Sequence, residues 1–122
     1  MNEKIREKTI DHLYTDFQRN LNALEDKRDA INRDIGNIDE SQSLLDDIYT
    51  EMRWIFREIS DHCDEESFLT EMDGCEDDFY YCRRIVENEL EEKKEQLETE
   101  KRNSYTAEDE LRDEFQRRKQ YY

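Results

Sequence analysis

The sequence predicts an all-α protein, an elongated antiparallel hairpin of two helices that pack against each other as a coiled coil. Its 122 residues include two glycines and no proline, so almost nothing interrupts a helix. Charged residues make up 44% of the chain and hydrophobic residues 34%, a composition typical of long helices. Low hydrophobicity and a net charge of −16 are also typical of disordered chains. The spacing of the apolar residues therefore decides between the two classes.

The first half of the chain repeats apolar residues every seven positions. Eight consecutive members of one series are all apolar: Ile10, Phe17, Leu24, Ile31, Ile38, Leu45, Met52 and Ile59. The series four positions further on is apolar except at Arg28 and Gln42: Tyr14, Leu21, Arg28, Ile35, Gln42, Tyr49, Phe56 and Cys63. Steps of three and four that hold over so many heptads predict a supercoiling helix near residues 5–60.

The second half predicts another helix, near residues 64–118, with a less regular apolar stripe. Its expected members are Phe68, Met72, Cys75, Phe79, Cys82, Val86, Leu90, Lys93, Leu97, Lys101, Ser104, Glu108, Leu111 and Phe115. The period is slightly longer than 3.5, and the stripe turns polar from Lys93 to Glu108. We therefore expect the part of this helix far from the turn to pack more loosely.

A short polar run near residues 60–64 connects the helices, which makes them antiparallel neighbours within one domain of residues 1–122. Residues whose numbers sum to about 128 should then lie side by side. Arg28 would face Glu100, or else extend its stem to reach water.

Catalytic and metal-binding patterns are missing from the sequence. The only two histidines, His12 and His62, are fifty residues apart, and there is no glycine-rich phosphate loop or nucleophile elbow. Cys63, Cys75 and Cys82 lack metal-ligand spacing, and we expect them to be small core residues with reduced thiols. The sequence thus predicts a protein that is not an enzyme and needs no cofactor or metal.

The charge is uneven along the chain. Residues 1–60 hold 14 acids and 9 bases, whereas residues 61–122 hold 21 acids and 10 bases. Residues 61–78 alone contain nine acids and no lysine or arginine. Such a surface repels nucleic acids and anionic membranes and favours a basic protein partner, although a DNA mimic stays an alternative. With no apolar run of even ten residues, we expect no signal peptide or membrane span, and a cytoplasmic location.

Apolar residues near the turn exceed what a two-helix hairpin can cover. Leu44, Ile48 and Ile55 share a face beside the heptad seam, which gives an arc wide enough for two neighbours. A second copy or a different helical protein would complete a bundle there. The candidate partner-binding residues are Leu44, Ile48, Trp54, Ile55, Phe68, Leu69, Tyr80 and Tyr81. The alternative is that these side chains thicken the core of the hairpin itself.

Several stretches together resemble a known family. They are a heptad helix with Phe17, Leu21 and Leu24, an apolar cluster at residues 54–56, the run SFLTEM at residues 67–72, and the charged run LEEKKEQL at residues 90–97. This pattern resembles the small α-helical proteins encoded beside LXG toxins in Gram-positive bacteria, over roughly residues 10–118. The resemblance implies a targeting factor or chaperone that binds the helical N-terminal LXG domain of a toxin. A second small helical protein would assist it in delivering the toxin to a type VIIb secretion system.

Two alternatives to the LXG partner stay open. WXG-like secreted hairpins have a Trp-x-Gly turn, but Ile55 and Phe56 follow Trp54 here, and the single Tyr-x-x-x-Asp match at Tyr105 is expected by chance. A structural coiled-coil tether should carry an apolar stripe of even width, whereas this chain concentrates its surplus near the turn. The sequence therefore favours a binding protein that stays in the cytoplasm or is secreted with its toxin.

Overall fold

The structure, a computed structural model, describes residues 2–122 and contains two α-helices joined by three residues. Helix α1 spans Glu3–His62 and helix α2 spans Glu66–Gln120. Residues 2–122 contain no strand. The predicted all-α helical hairpin is confirmed, and each predicted helix boundary lies two residues from the observed one.

Side-chain and backbone caps define the helix starts. The Asn2 side-chain oxygen accepts a hydrogen bond from the Lys4 N–H at 3.0 Å, which satisfies a donor that the first turn of α1 leaves unpaired. In α2 the Leu69 N–H donates to the Glu65 carbonyl at 3.0 Å. Glu66 lies in the first turn of α2, where the helix dipole favours an acid.

The chain divides into two compact units, each built from one stretch of α1 and one of α2. The first, here called the distal unit, comprises the residues up to Asp34 together with Gln96–Tyr122. The second, the turn unit, is Ile35–Glu95 and includes the connection between the helices.

The distal unit is closed by a ring stack and by small and aliphatic side chains. Phe17 stacks on Phe115 with 4.4 Å between ring centroids, and Leu21 is buried. Ile31 and Ser104 are 4% and 3% exposed, the lowest values among the buried residues. The expectation of looser packing in this part of α2 is wrong, because its predicted stripe residues from Leu97 to Phe115 are all buried or half-buried, whereas Phe68, Cys75 and Cys82 near the turn are exposed.

The turn unit is held together by an aromatic cluster. Tyr49 and Phe56 of α1 are buried and meet Phe79 of α2 edge-on, with centroid separations of 5.4 and 5.8 Å. Buried aromatic pairs of this geometry contribute about 0.5–1.5 kcal/mol beyond the burial of their area. Ile38 is also buried, which extends this core toward the middle of α1.

In the turn unit, Met72, Phe79 and Leu90 of the predicted α2 stripe are half-buried as expected, whereas the other stripe positions are displaced by one residue. Arg83 stacks over the Tyr49 ring at 4.3 Å, and the Lys94 ammonium lies 2.7 Å from Asp39. Both are half-buried, whereas Cys82 and the predicted stripe residue Lys93 next to them are exposed. A long charged side chain can pack its aliphatic part in the seam while its charged group contacts a partner at the edge. Seam residues of this kind are not recognised when only apolar residues are counted.

Two of the three cysteines lie outside the core that the sequence predicts. Cys75 and Cys82 are exposed and only Cys63 is half-buried, so the prediction of three core cysteines is wrong for two of them. The displaced stripe is the reason, because it places Glu76 and Arg83 at the seam and turns the preceding cysteine outward in each case.

Arg28 pairs with Glu108 and not with Glu100, which is exposed. Near the turn the contacts follow the expected register, since Tyr49 meets Phe79. In the distal unit, side chains lean toward the N-terminus of their own helix, so Arg28 leans away from the turn and Glu108 leans toward it. Glu108 lies about two helical turns beyond the predicted partner Glu100, and the opposite leans of the Arg28 and Glu108 side chains bring them together.

Candidate partner-binding site

Exposed apolar side chains concentrate in the turn unit. Of the twelve exposed large hydrophobic residues among residues 2–122, eight belong to this unit: Leu44, Ile48, Trp54, Ile55, Phe68, Tyr81, Ile85 and Val86. Single exposed apolar residues are common on proteins, but a contiguous group of them marks an interaction surface.

Six of the eight predicted partner-binding residues are exposed. Leu44, Trp54 and Tyr81 are the most open, at 61%, 62% and 64% exposure. Ile48, Ile55 and Phe68 are exposed to a lesser degree. Leu69 and Tyr80 are half-buried, and the Tyr80 ring lies 5.9 Å from that of Phe79. Only these last two residues fit the alternative of a thicker hairpin core.

On α1 the exposed aliphatic residues form one stripe. Ile48 and Ile55 each precede a buried seam residue, Tyr49 and Phe56, and are seven positions apart. Leu44 is four positions before Ile48 and lies on the same face. At about 100° per residue, Trp54 points to the side of α1 roughly opposite the seam. Trp54 is therefore separate from this stripe.

On α2 a second heptad series lies beside the seam. Phe68, Cys75 and Cys82 are seven positions apart, all are exposed, and Val86 follows four positions on. Each of the first three precedes a seam residue by one position: Leu69, Glu76 and Arg83, which are all half-buried. Tyr81 points away from the seam, for the same angular reason as Trp54.

The two stripes face the same side of the hairpin. Both helices are right-handed and they run antiparallel to each other. Seen from one end, moving back by one residue therefore rotates the side-chain direction clockwise around one helix and counterclockwise around the other. Because the seams face each other, the residues before seam positions on α1 and on α2 emerge on one side. Ile48 and Ile55 thus line one wall, and Phe68, Cys75 and Cys82 the other, of what we call the turn groove.

Acidic side chains border the turn groove. Glu51 lies on the α1 side, seven positions after Leu44. On the α2 side Glu71 and Asp78 each lie four positions before a groove cysteine, and Glu89 lies seven positions after Cys82; all four acids are exposed. The turn groove therefore has two walls that carry its exposed apolar residues and cysteines, and negatively charged rims.

Most basic side chains of the turn unit lie on the other side of the hairpin or at the seam; Lys93, which precedes the seam residue Lys94, is an exposed base on the groove side. Arg53 and Arg57 each follow a seam residue by one position, which turns them to the side opposite the groove. Arg83 stays at the seam, where a 2.9 Å hydrogen bond to Glu87 raises its pKa above the ordinary value. The separation of charge makes the groove rims strongly negative.

Residues 2–122 contain no cluster of three His, Cys, Asp or Glu side chains that could hold a metal ion. In the same part of the chain, neither helix has a stretch apolar enough to cross a membrane.

The sequence predicts the α1 wall and Phe68 of the α2 wall as partner-binding residues, but it assigns Cys75 and Cys82 to the core. The strict seven-residue spacing of Phe68, Cys75 and Cys82 marks the α2 wall in the sequence. The true seam lies one residue further on, through Arg83 and Lys94, and its charged residues make it look like a solvent-facing series. The chain matches no protein-family model, no curated protein and no solved structure. What it binds is therefore inferred from its own residues.

Proposed function

We propose that this chain is a non-enzymatic helical partner that binds the helical N-terminal LXG domain of a bacterial toxin and helps target the toxin for type VIIb secretion. One observation carries the proposal: a two-helix unit exposes a contiguous apolar groove along both of its helices. The resemblance of residues 10–118 to the proteins encoded beside LXG toxins supplies the identity of the partner.

The distribution of exposed apolar residues supports a binding role over a tether. A tether needs only the seam between its helices, whereas the turn unit exposes eight large apolar residues. Five of the eight lie on the groove side, where one partner could cover them together: Leu44, Ile48, Ile55, Phe68 and Val86. Full burial of an exposed side chain of this size gains about 1.5–3 kcal/mol. Ile48, Ile55 and Phe68 are 41%, 40% and 40% exposed, so covering what remains of each gains less than half of that.

The location follows from the partner. The chain would meet the toxin in the cytoplasm before export, and either remain there or travel with it. A second small helical protein would cover apolar surface that the toxin leaves exposed, with Trp54 and Tyr81, on the outer sides of α1 and α2, as candidate contacts. A homodimer is the alternative occupant when the toxin is absent, although each copy carries a net charge of −16.

Co-expression tests the proposal directly. The tagged chain is produced with the LXG toxin encoded nearest to its gene, once as the LXG domain alone and once as the C-terminal toxin domain alone. We expect recovery of a stoichiometric complex with the LXG domain and none with the C-terminal domain. Leu97→Ala, a change to a half-buried residue of the distal unit, should leave recovery unchanged. Failure to recover the LXG domain with a folded chain would refute the proposal.

A further inference from the structure

We infer that the turn groove holds one amphipathic helix whose apolar stripe is flanked by lysine or arginine. The inference rests on the proposed function in one respect, that the partner of this chain is helical. It adds the place where the helix docks and the charge that its flanks must carry.

The spacing of the groove residues fits a helix. Ile48 and Ile55 on α1, and Cys75 and Cys82 on α2, each repeat every seven residues, which keeps them in step with a third supercoiling helix. The small side chains of Cys75 and Cys82 leave room between the larger residues of α1 and Phe68. A helix with apolar residues at heptad spacing can insert them there as knobs into holes.

The negative charge of the groove rims indicates that the docked helix carries positive charge beside its apolar stripe. None of the nine acids in residues 61–78 forms an ion pair with any other residue among 2–122. Glu71 and Asp78, which belong to this group, border the groove on α2, and Glu51 borders it on α1. A helix with bases beside its apolar stripe would place them against these carboxylates, whereas an acidic helix would be repelled.

The same charge argues against a second copy as the occupant. In a symmetric dimer each copy presents the same patch to the other, so Glu71 and Asp78 of both copies would approach one another. Each copy also carries a net charge of −16. A basic-flanked helix from a different protein meets neither penalty.

Thiol labelling gives a direct readout, because Cys75 and Cys82 lie inside the groove and are exposed without a partner. The probe is a four-heptad synthetic helix with leucine at the seam positions and lysine beside them. Its controls are the same peptide with glutamate in place of lysine, and a lysine peptide with the same composition in which the leucines are out of register. Alkylation of each cysteine is followed in chains where the other two cysteines are serine.

We expect the lysine peptide to slow alkylation of Cys75 and Cys82 about tenfold at a concentration ten times its Kd. The glutamate peptide and the out-of-register peptide should give no protection. Ile55→Asp should weaken binding of the lysine peptide at least about tenfold, since it places a charge in the apolar α1 wall of the groove. The matched control Trp54→Asp, on the outer side of α1, should change the Kd less than about twofold. Circular dichroism confirms that both variants remain helical.

Charge reversal tests the flanks. The double variant Glu71→Lys, Asp78→Lys should lose affinity for the lysine peptide and gain affinity for the glutamate peptide. Equal protection by both peptides in the unmodified chain would overturn the assignment of basic flanks. Unchanged alkylation with a bound lysine peptide would overturn the groove as the docking place.

The same labelling with the LXG domain separates this inference from the proposed function. If the LXG domain binds and the two thiols stay fully reactive, the function holds and the groove assignment is wrong. If the LXG domain does not bind while the lysine peptide protects both thiols, the groove assignment holds and the proposed toxin partner is wrong.

Discussion

The Arg28 guanidinium donates a 2.6 Å hydrogen bond to Glu108 and stacks over the Tyr105 ring at 4.4 Å. The side chains of Arg28 and Glu108 are only 11% and 16% exposed. The hydrogen bond to Glu108 is the main reason that the pKa of Arg28 is raised above its ordinary value, while burial opposes the shift. Glu108 also lies 3.9 Å from Arg112, so one carboxylate serves two arginines in the distal unit. A charged heptad position of α1 is thereby satisfied inside the seam.

Removing one charge of the Arg28–Glu108 pair should lower the stability of the chain more than removing both charges. Glu108→Gln leaves the Arg28 charge inside the seam without its countercharge, so we expect a clear drop in the thermal midpoint. The double variant Arg28→Leu, Glu108→Leu removes both charges and extends the apolar heptads, and should recover at least the midpoint of the unmodified chain. Thermal unfolding followed by circular dichroism measures both. A double variant less stable than Glu108→Gln would contradict this account.

Ser104 is buried, and its hydroxyl has no hydrogen-bond partner among residues 2–122. A buried hydroxyl without a partner costs about 1–3 kcal/mol, and alanine is also the better helix former. Ser104→Ala should therefore raise the free energy of unfolding by about 1 kcal/mol or more. The control is Ser41→Ala, an exposed site within α1 that gains from helix propensity alone. Equal gains at the two sites in urea unfolding would show that the Ser104 hydroxyl carries no penalty.

The heptads of α1 allowed its whole core face to be predicted, because its seam positions between Phe17 and Phe56 are all apolar or aromatic except Arg28 and Gln42. Every member of both series is buried or half-buried except Tyr14. The face of α2 was predicted correctly from Leu97 to Phe115, where every stripe residue is buried or half-buried. Its part in the turn unit was predicted incompletely, because Arg83 and Lys94 look like solvent-facing residues until their partners Tyr49 and Asp39 are known. Partners across a hairpin depend on register, which sequence periodicity leaves uncertain by about a helical turn. The same uncertainty hid the place of Cys75 and Cys82 in the α2 wall of the turn groove.

The two glycines lie inside helices at positions where a side chain would fit. A Cβ built at Gly36 or Gly74 meets no atom within 4 Å, and neither residue has a positive φ. Replacing each by alanine should stabilise the chain by about 0.5–1 kcal/mol, because alanine restricts the unfolded chain and favours the helix. The reverse change Ala23→Gly at an exposed position of α1 is the matched control and should lose a similar amount. A loss of stability in Gly36→Ala, measured by urea unfolding, would mean that the glycine has another role.

Tyr49 links stability to alkaline pH. Burial raises the pKa of Tyr49 above its ordinary value of 10.0, Glu87 adds to the shift, and Arg83 opposes it. A phenol whose pKa is raised by folding stabilises the native state fully below its unfolded pKa, and this contribution is lost as the pH rises through the folded pKa. We therefore expect stability to fall above pH 10.0. Tyr49→Phe keeps the ring and removes the titration, so urea midpoints between neutral and alkaline pH should fall less steeply in this variant. Identical slopes would exclude Tyr49 as the cause.

Trp54 lies on the outer side of α1, so its variants distinguish effects at that surface from effects in the turn groove. It is the only tryptophan of the chain and is 62% exposed, so Trp54→Ala should leave the thermal midpoint nearly unchanged. Ile31→Ala, at a site 4% exposed, should by contrast cost about 2–5 kcal/mol of unfolding free energy through the cavity it leaves. The pair of variants measures how far exposure decides stability in this hairpin.

The fluorescence of Trp54 then reports where a partner lies. A lysine-flanked peptide confined to the turn groove should leave the emission maximum in place, because Trp54 points to the outer side of α1. An LXG domain that also covers that side should shift the emission to shorter wavelength, and Trp54→Ala should then weaken its binding while leaving the Kd of the peptide unchanged. A large blue shift with the peptide alone would show that the peptide docks on the outer side of α1 and not in the groove.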